Sequence, residues 1–206
     1  MEKSQGNSRT GLGNLGTLVR LAVLIAILLV LEFTNIGYIK TPGLEFTIMQ
    51  VPVIIGAIVM GPTAGAILGG VFGLTSFWQC FGKSAFGVVL MGVNPFSTFL
   101  VCVPTRILMG LCCGLLFRGL LRVDRTKGKM LSFGLSSLMG ALLNTLFFVG
   151  ALMLFFANSD FILGLRNGAA VLPFAVAFIG IQGLLEALIC CVAGAAISRA
   201  LYTSYN

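Results

Sequence analysis

The chain has no histidine, only six acidic residues and a single tryptophan among its 206 positions. Without His, the commonest proton shuttle and metal ligand are missing. Charge is scarce in general: Asp, Glu, Lys and Arg make up 9% of the sequence, against about 25% in soluble domains. None of the six cysteines has CxxC spacing, which speaks against a redox motif or a zinc ribbon. Five of them lie in apolar helical stretches, where free Cys packs as a small hydrophobe. No internal repeat is visible, which argues against a carrier made of inverted halves. No metal and no cofactor are expected.

What remains is apolar: 58% of the residues are hydrophobic and mean hydropathy is +1.06. That composition indicates an all-α, polytopic membrane protein with room for about six spans of roughly 20 residues. The stretch TIMQVPVIIGAIVMGPTAGAILGGVFGLTSF, Thr47 to Phe77, is the centre of the reading. Pro62 cannot continue a helix but is well suited to start one, so Gly61-Pro62 folds the stretch into two short helices. Gly61, Gly65, Gly69 and Gly73 recur every four residues, a spacing that puts them on one face of the second helix. A glycine face lets a neighbouring helix approach to backbone contact, the usual packing device in lipid.

In chain order, residues 1–14 read as a cytoplasmic tail, 15–199 as one six-helix membrane domain and 200–206 as a second tail. The first tail runs into the first span through Gly11-Leu-Gly13-Asn-Leu-Gly16, a literal GxGxxG without the βαβ unit a dinucleotide site needs. The first span runs from Leu15 to about Ile36. It starts like a signal peptide, but no small-x-small cleavage site follows Leu31, so an uncleaved span is expected. Residues 37–46 make a loop, then comes the hairpin. Residues 78–97 are interrupted by Gly82, Gly87, Gly92 and Asn94-Pro95. Gly82-Lys83-Ser84 lacks the earlier glycine of a phosphate-binding loop. The later spans cover about Thr98–Phe117, Leu131–Ala157 and Val171–Ser198.

The net charge of +7 is explained by position. With the N-terminus inside, nine basic residues fall on the inner side: Lys3, Arg9, Arg20, Arg118, Arg122, Arg125, Lys127, Lys129 and Arg199. The outer loops receive Lys40, Lys83 and Arg166. The positive-inside rule therefore places both termini in the cytoplasm. The loop at 118–130 faces anionic lipid or a cytosolic partner, or serves orientation alone.

Four polar residues fall near the middle of spans: Arg106, Asn144, Gln182 and Glu186. A charge at the bilayer centre costs about 2.5–3.5 kcal/mol even on lenient insertion scales. Gln182 and Glu186 are four apart and share a helix face. The functional reading points all four into one substrate-binding cavity; the plain alternative pairs Arg106 with Glu186 as structural glue. Trp78 is either an interfacial anchor or an aromatic wall over a ligand. Glu32, near the end of the first span, is expected to snorkel to the interface. Lys83 and Arg166 either attract an anionic solute or are simply solvated.

Several parts together resemble a known family. Six spans, an inner N-terminus, the small-residue pair Ala22-xxx-Ala26 and the hairpin VPVIIGAIVMGPTAGAILGGVFGLTSF are similar to the substrate-binding S component of energy-coupling factor (ECF) vitamin transporters. Pro104-Thr-Arg106, Asn144 and Glu186 match positions typical of that family; Gln182 departs from it, since Asn is expected there. The resemblance implies a multi-pass protein of the bacterial cell membrane that binds a small water-soluble vitamin on the outer side. It also implies a transmembrane coupling subunit, packed on Ala22 and Ala26, and two cytosolic ATPase subunits, with no ATP hydrolysis in this chain. The start of the hairpin, TIMQVPVIIGAI, is most like pantothenate-type members; riboflavin and other vitamins are the alternatives. A membrane enzyme is a poor rival, because the chain lacks His and paired intramembrane acids. A structural membrane protein is the remaining alternative, since fold does not fix function.

Overall fold

The computed structural model describes residues 15–34, 38–41, 44–124, 130–159, 162–164, 183 and 186–203. Helix α1 (Leu15–Phe33) is apolar almost all round and buries only Leu21, Leu28 and Glu32. These recur at seven- and four-residue intervals and so form a single stripe. Two short antiparallel strands follow, β1 (Tyr38–Thr41) and β2 (Leu44–Thr47), paired from Tyr38 with Thr47 to Thr41 with Leu44. The expectation of a plain loop over 37–46 is corrected here. Pro42-Gly43 separates the strands in the sequence, and Pro-Gly is strong turn chemistry.

Helix α2 (Gln50–Val59) buries every residue from Gln50 to Ile58. A helix that is hydrophobic all round belongs inside a bundle. It ends at Met60, and Gly61 adopts φ +98° before Pro62 opens α3 (Pro62–Gln79). Gly61 is thus the turn residue, and a side chain there would be strained. The packing face of α3 is Gly65, Gly69 and Gly73. A Cβ on Gly65 or Gly69 would strike the carbonyl oxygen of Gly110 or Arg106, and one on Gly73 would lie 2.7 Å from Val103 Cα. The partner helix is α5 (Pro95–Val123), which returns the fit: a Cβ on Gly114 would lie 2.6 Å from Pro62 Cα. The two backbones touch along most of α3.

Between them, residues 78–97 hold a short helix, α4 (Ala85–Val93). Ser84 Oγ caps it by accepting from Gly87 N at 3.3 Å. Asn94 Oδ1 accepts from Phe96 N and Ser97 N at 3.1 and 3.2 Å, and Pro95 occupies the first turn of α5. These are strong helix-start signals, and they set the start of α5 earlier than the expected Thr98. At its other end Asp124 Oδ2 accepts from Ser132 N at 2.8 Å and Ser132 Oγ at 2.7 Å. This ties α5 to the first turn of α6 (Met130–Phe156), where a carboxylate also suits the helix dipole. Residues 186–189 are helical and run through a π-helical turn, Cys190–Gly194, into α7 (Ala195–Thr203).

Among the described residues, three helices are long and apolar enough to cross a membrane: α1, α5 and α6. The core has α2 at its centre. Ile54, Ile55 and Ile58 pack with Cys113, Phe117, Ala141 and Cys190, while Met49 and Val53 pack with Leu68, Phe72 and Met109. All six cysteines are free thiols.

Candidate functional site

Arg106 is fixed from both sides. Its backbone is pressed against Gly69 of α3, and its guanidinium lies between the rings of Phe72 and Phe148, at 4.8 and 5.2 Å from their centroids. Each such cation–π contact contributes about 0.5–2 kcal/mol. Nη1 donates to the carbonyl of Cys102 at 3.0 Å and more weakly to that of Val101 at 3.4 Å. Pro104, inside α5, supplies no N–H to its own turn, which leaves the Leu100 carbonyl, four residues back, without its helical donor. The residue is only 9% exposed, yet Nε has no acceptor among the described residues. No carboxylate there lies within ion-pair distance of it, so the alternative of an Arg106–Glu186 pair is not formed.

Glu186 is engaged elsewhere. It is 5% exposed; Oε1 accepts from the backbone N–H of Thr47 at 2.8 Å and Oε2 from Gln50 Nε2 at 3.4 Å. The strand pair, α2 and the last helical stretch therefore converge on one carboxylate. Hydrogen bonds to a charged group are worth about 1.5–3 kcal/mol each. Gln50 is fully buried, and its Oε1 has no donor among the described residues.

Asn144 of α6 is 7% exposed and makes no side-chain hydrogen bond among the described residues. It is one turn from Phe148, which covers Arg106. Its neighbour Leu143 packs on the cluster of Met49, Val53, Phe72 and Met109. Arg106 Nε and Gln50 Oε1 are thus buried hydrogen-bonding atoms left unmatched among the described residues, and Asn144 stands one turn from the ring that covers Arg106. Leaving such a group unmatched costs about 1–3 kcal/mol, and a site that binds a polar solute is where that cost is recovered.

Gln182 lies outside the described residues, as do Arg166 and the basic positions 125–129. Trp78 is 63% exposed and its ring is tilted 46° against that of Phe81, 6.1 Å away, which fits an interfacial anchor better than a pocket wall. Lys83 is exposed, 5.6 Å from the Phe33 ring centroid. Glu32 does not snorkel: it is buried, and Oε1 accepts from Gln79 Nε2 at 2.7 Å. The reason is its place on the stripe of Leu21 and Leu28. Ala22 and Ala26 are exposed on α1. Gln50 and Thr47 are site residues that sequence reasoning missed. A lone Gln ahead of an apolar run reads as a helix start, and a backbone N–H leaves no trace in composition.

The chain is 38% identical over 112 residues to "Pantothenate transporter PanT" of Leuconostoc mesenteroides subsp. mesenteroides; the match covers 54% of this chain and about half, 52%, of that relative. Its fold is similar to that of ThiT from Listeria monocytogenes, with a TM-score of 0.63 at 20% identity, over 93% of this chain and 96% of that one. Residues 16–197 match the family model described as "ECF transporter, substrate-specific component". With that match spanning most of its length, the chain belongs to the family of ECF transporter substrate-specific components: helical, multi-pass membrane proteins that bind a substrate and are not enzymes.

Proposed function

We propose that this protein is the substrate-capture subunit of an ECF-type importer and that its ligand is the vitamin pantothenate. It crosses the membrane six times, as one domain over residues 15–199, with residues 1–14 and 200–206 as cytoplasmic tails. The vitamin enters from the outer side, where the strand pair lies. Arg106 meets its carboxylate with charge-assisted hydrogen bonds. Asn144, Gln50 and Glu186 hold its hydroxyl and amide groups, and Gln182 completes the wall contributed by the last span. The exposed alanines Ala22 and Ala26 pack on the transmembrane coupling subunit, and two cytosolic ATPase subunits drive release to the inside.

The observation that carries this reading is the buried cation without a carboxylate partner among the described residues: Arg106, held between two rings, with Nε unmatched. Such a group suits an anionic solute. The partial similarity to a pantothenate transporter supports the choice of vitamin. The test is calorimetric titration of the purified protein with a panel of water-soluble vitamins. Pantothenate is expected to give saturable heat at one ligand per chain. No heat with pantothenate, alongside saturable heat with another vitamin, would overturn the assignment.

A further inference from the structure

We propose that the groove between α1, α2 and α7 holds an acyl chain of an anionic phospholipid from the cytoplasmic leaflet, with Arg20 at the phosphate. The groove encloses about 550 Å³, and its wall includes Val23, Ile27, Leu31, Ile55 and Leu201. Among the described residues lining it, Arg20 is the one that carries a charge.

Charge and length both select this occupant. Arg20 lines the groove together with Met60, at the end of α2, and Leu201, near the end of α7. Their surroundings are basic: the Arg118 guanidinium lies beside Gly61, 2.6 Å from where a Cβ would stand, and Arg199 is two residues before Leu201 on α7. From Arg20 the groove runs along α1 to Leu31, about 16 Å at 1.5 Å per residue. This is half of a hydrocarbon core of about 30 Å, the depth of one leaflet. The cytoplasmic leaflet is the anionic one and attracts Lys and Arg near its surface. Ala22 and Ala26 do not line the groove, so a lipid seated there leaves them uncovered. Assignment to the inner leaflet rests on the orientation proposed above. The test needs neither vitamin nor orientation, so the two readings fail separately.

The test replaces Trp78 with Phe and places a single Trp reporter in the groove, Ile27→Trp, with Val23→Trp as a second reporter should the first fail to fold. Leu74→Trp, exposed on α3, serves as control. Each protein is reconstituted in phosphatidylcholine vesicles containing increasing fractions of phosphatidylglycerol with brominated chains, which quench the reporter on contact. Half-maximal quenching in the groove is expected at a phosphatidylglycerol fraction about fivefold lower than for the control, the factor for about 1 kcal/mol from one basic residue. Arg20→Gln is expected to erase the difference. Brominated phosphatidylcholine should quench both reporters alike, and glycerol 3-phosphate should not compete. Coincident curves, an unaltered preference in Arg20→Gln, or a groove reporter that no lipid quenches would overturn the proposal. The last result would mean that a protein segment, from this chain or another, fills the groove.

Discussion

Helix α5 presents two faces that meet their neighbours in opposite ways. On one, Val103, Arg106, Gly110 and Gly114 offer backbone atoms to α3 at contact distance, because Gly65, Gly69 and Gly73 carry nothing to intervene. On the other, turned toward α6, the Arg106 side chain lies between Phe148 of α6 and the α3 ring of Phe72, with a nitrogen unmatched. One face is closed to every solute, including water; the other keeps hydrogen-bonding capacity in reserve. The closed face explains the open one. Pinning the α5 backbone against α3 fixes where the guanidinium can reach, and so prevents it from relaxing toward another partner.

The largest effect is expected at Gly69. Gly69→Val drives a branched side chain into the Arg106 carbonyl, where neither backbone has room to move. Overpacking costs about 1–3 kcal/mol and occasionally more, and contact with a carbonyl oxygen rather than a flexible side chain puts this one at the upper end. The expected outcome is loss of monodisperse protein on size-exclusion chromatography; a folded variant with unchanged vitamin affinity would detach the seam from the site. A smaller effect is expected at the other face. Arg106→Ala should weaken binding of an anionic vitamin by about 10- to 100-fold, matching about 1.5–3 kcal/mol for hydrogen bonds to a charged group. The thermal midpoint should fall by a few degrees only. Unchanged affinity by calorimetry would return Arg106 to a structural role. The smallest effect is expected at Gln50. Gln50→Leu removes one donor from Glu186 and one acceptor from the site, and should raise Kd about fivefold, from about 1 kcal/mol per net hydrogen bond. An unaltered Kd would separate Gln50 from the ligand.

The parts of the fold that follow from backbone rules were readable in the sequence. Pro62 and the glycines every fourth residue dictate the α2–α3 turn and the seam, because only those residue types permit that geometry. That Arg106, Asn144 and Glu186 are buried was readable too, since each interrupts an apolar run. Which partner each takes was not. Glu186 is met by a backbone N–H from a strand pair that sits 139 residues earlier, and no periodicity encodes a contact of that range. Glu32 misled for a related reason: its distance from a helix end indicated snorkelling, whereas its angular position beside Leu28 buried it on α3.

The bond from the Thr47 amide to Glu186 has one more implication. It acts as a latch that joins the strand pair to the final helical stretch without involving α1, α5 or α6. The strands cannot swing away from the bundle until that carboxylate lets go of the amide. Letting go costs about 1.5–3 kcal/mol, the worth of one hydrogen bond to a charged group.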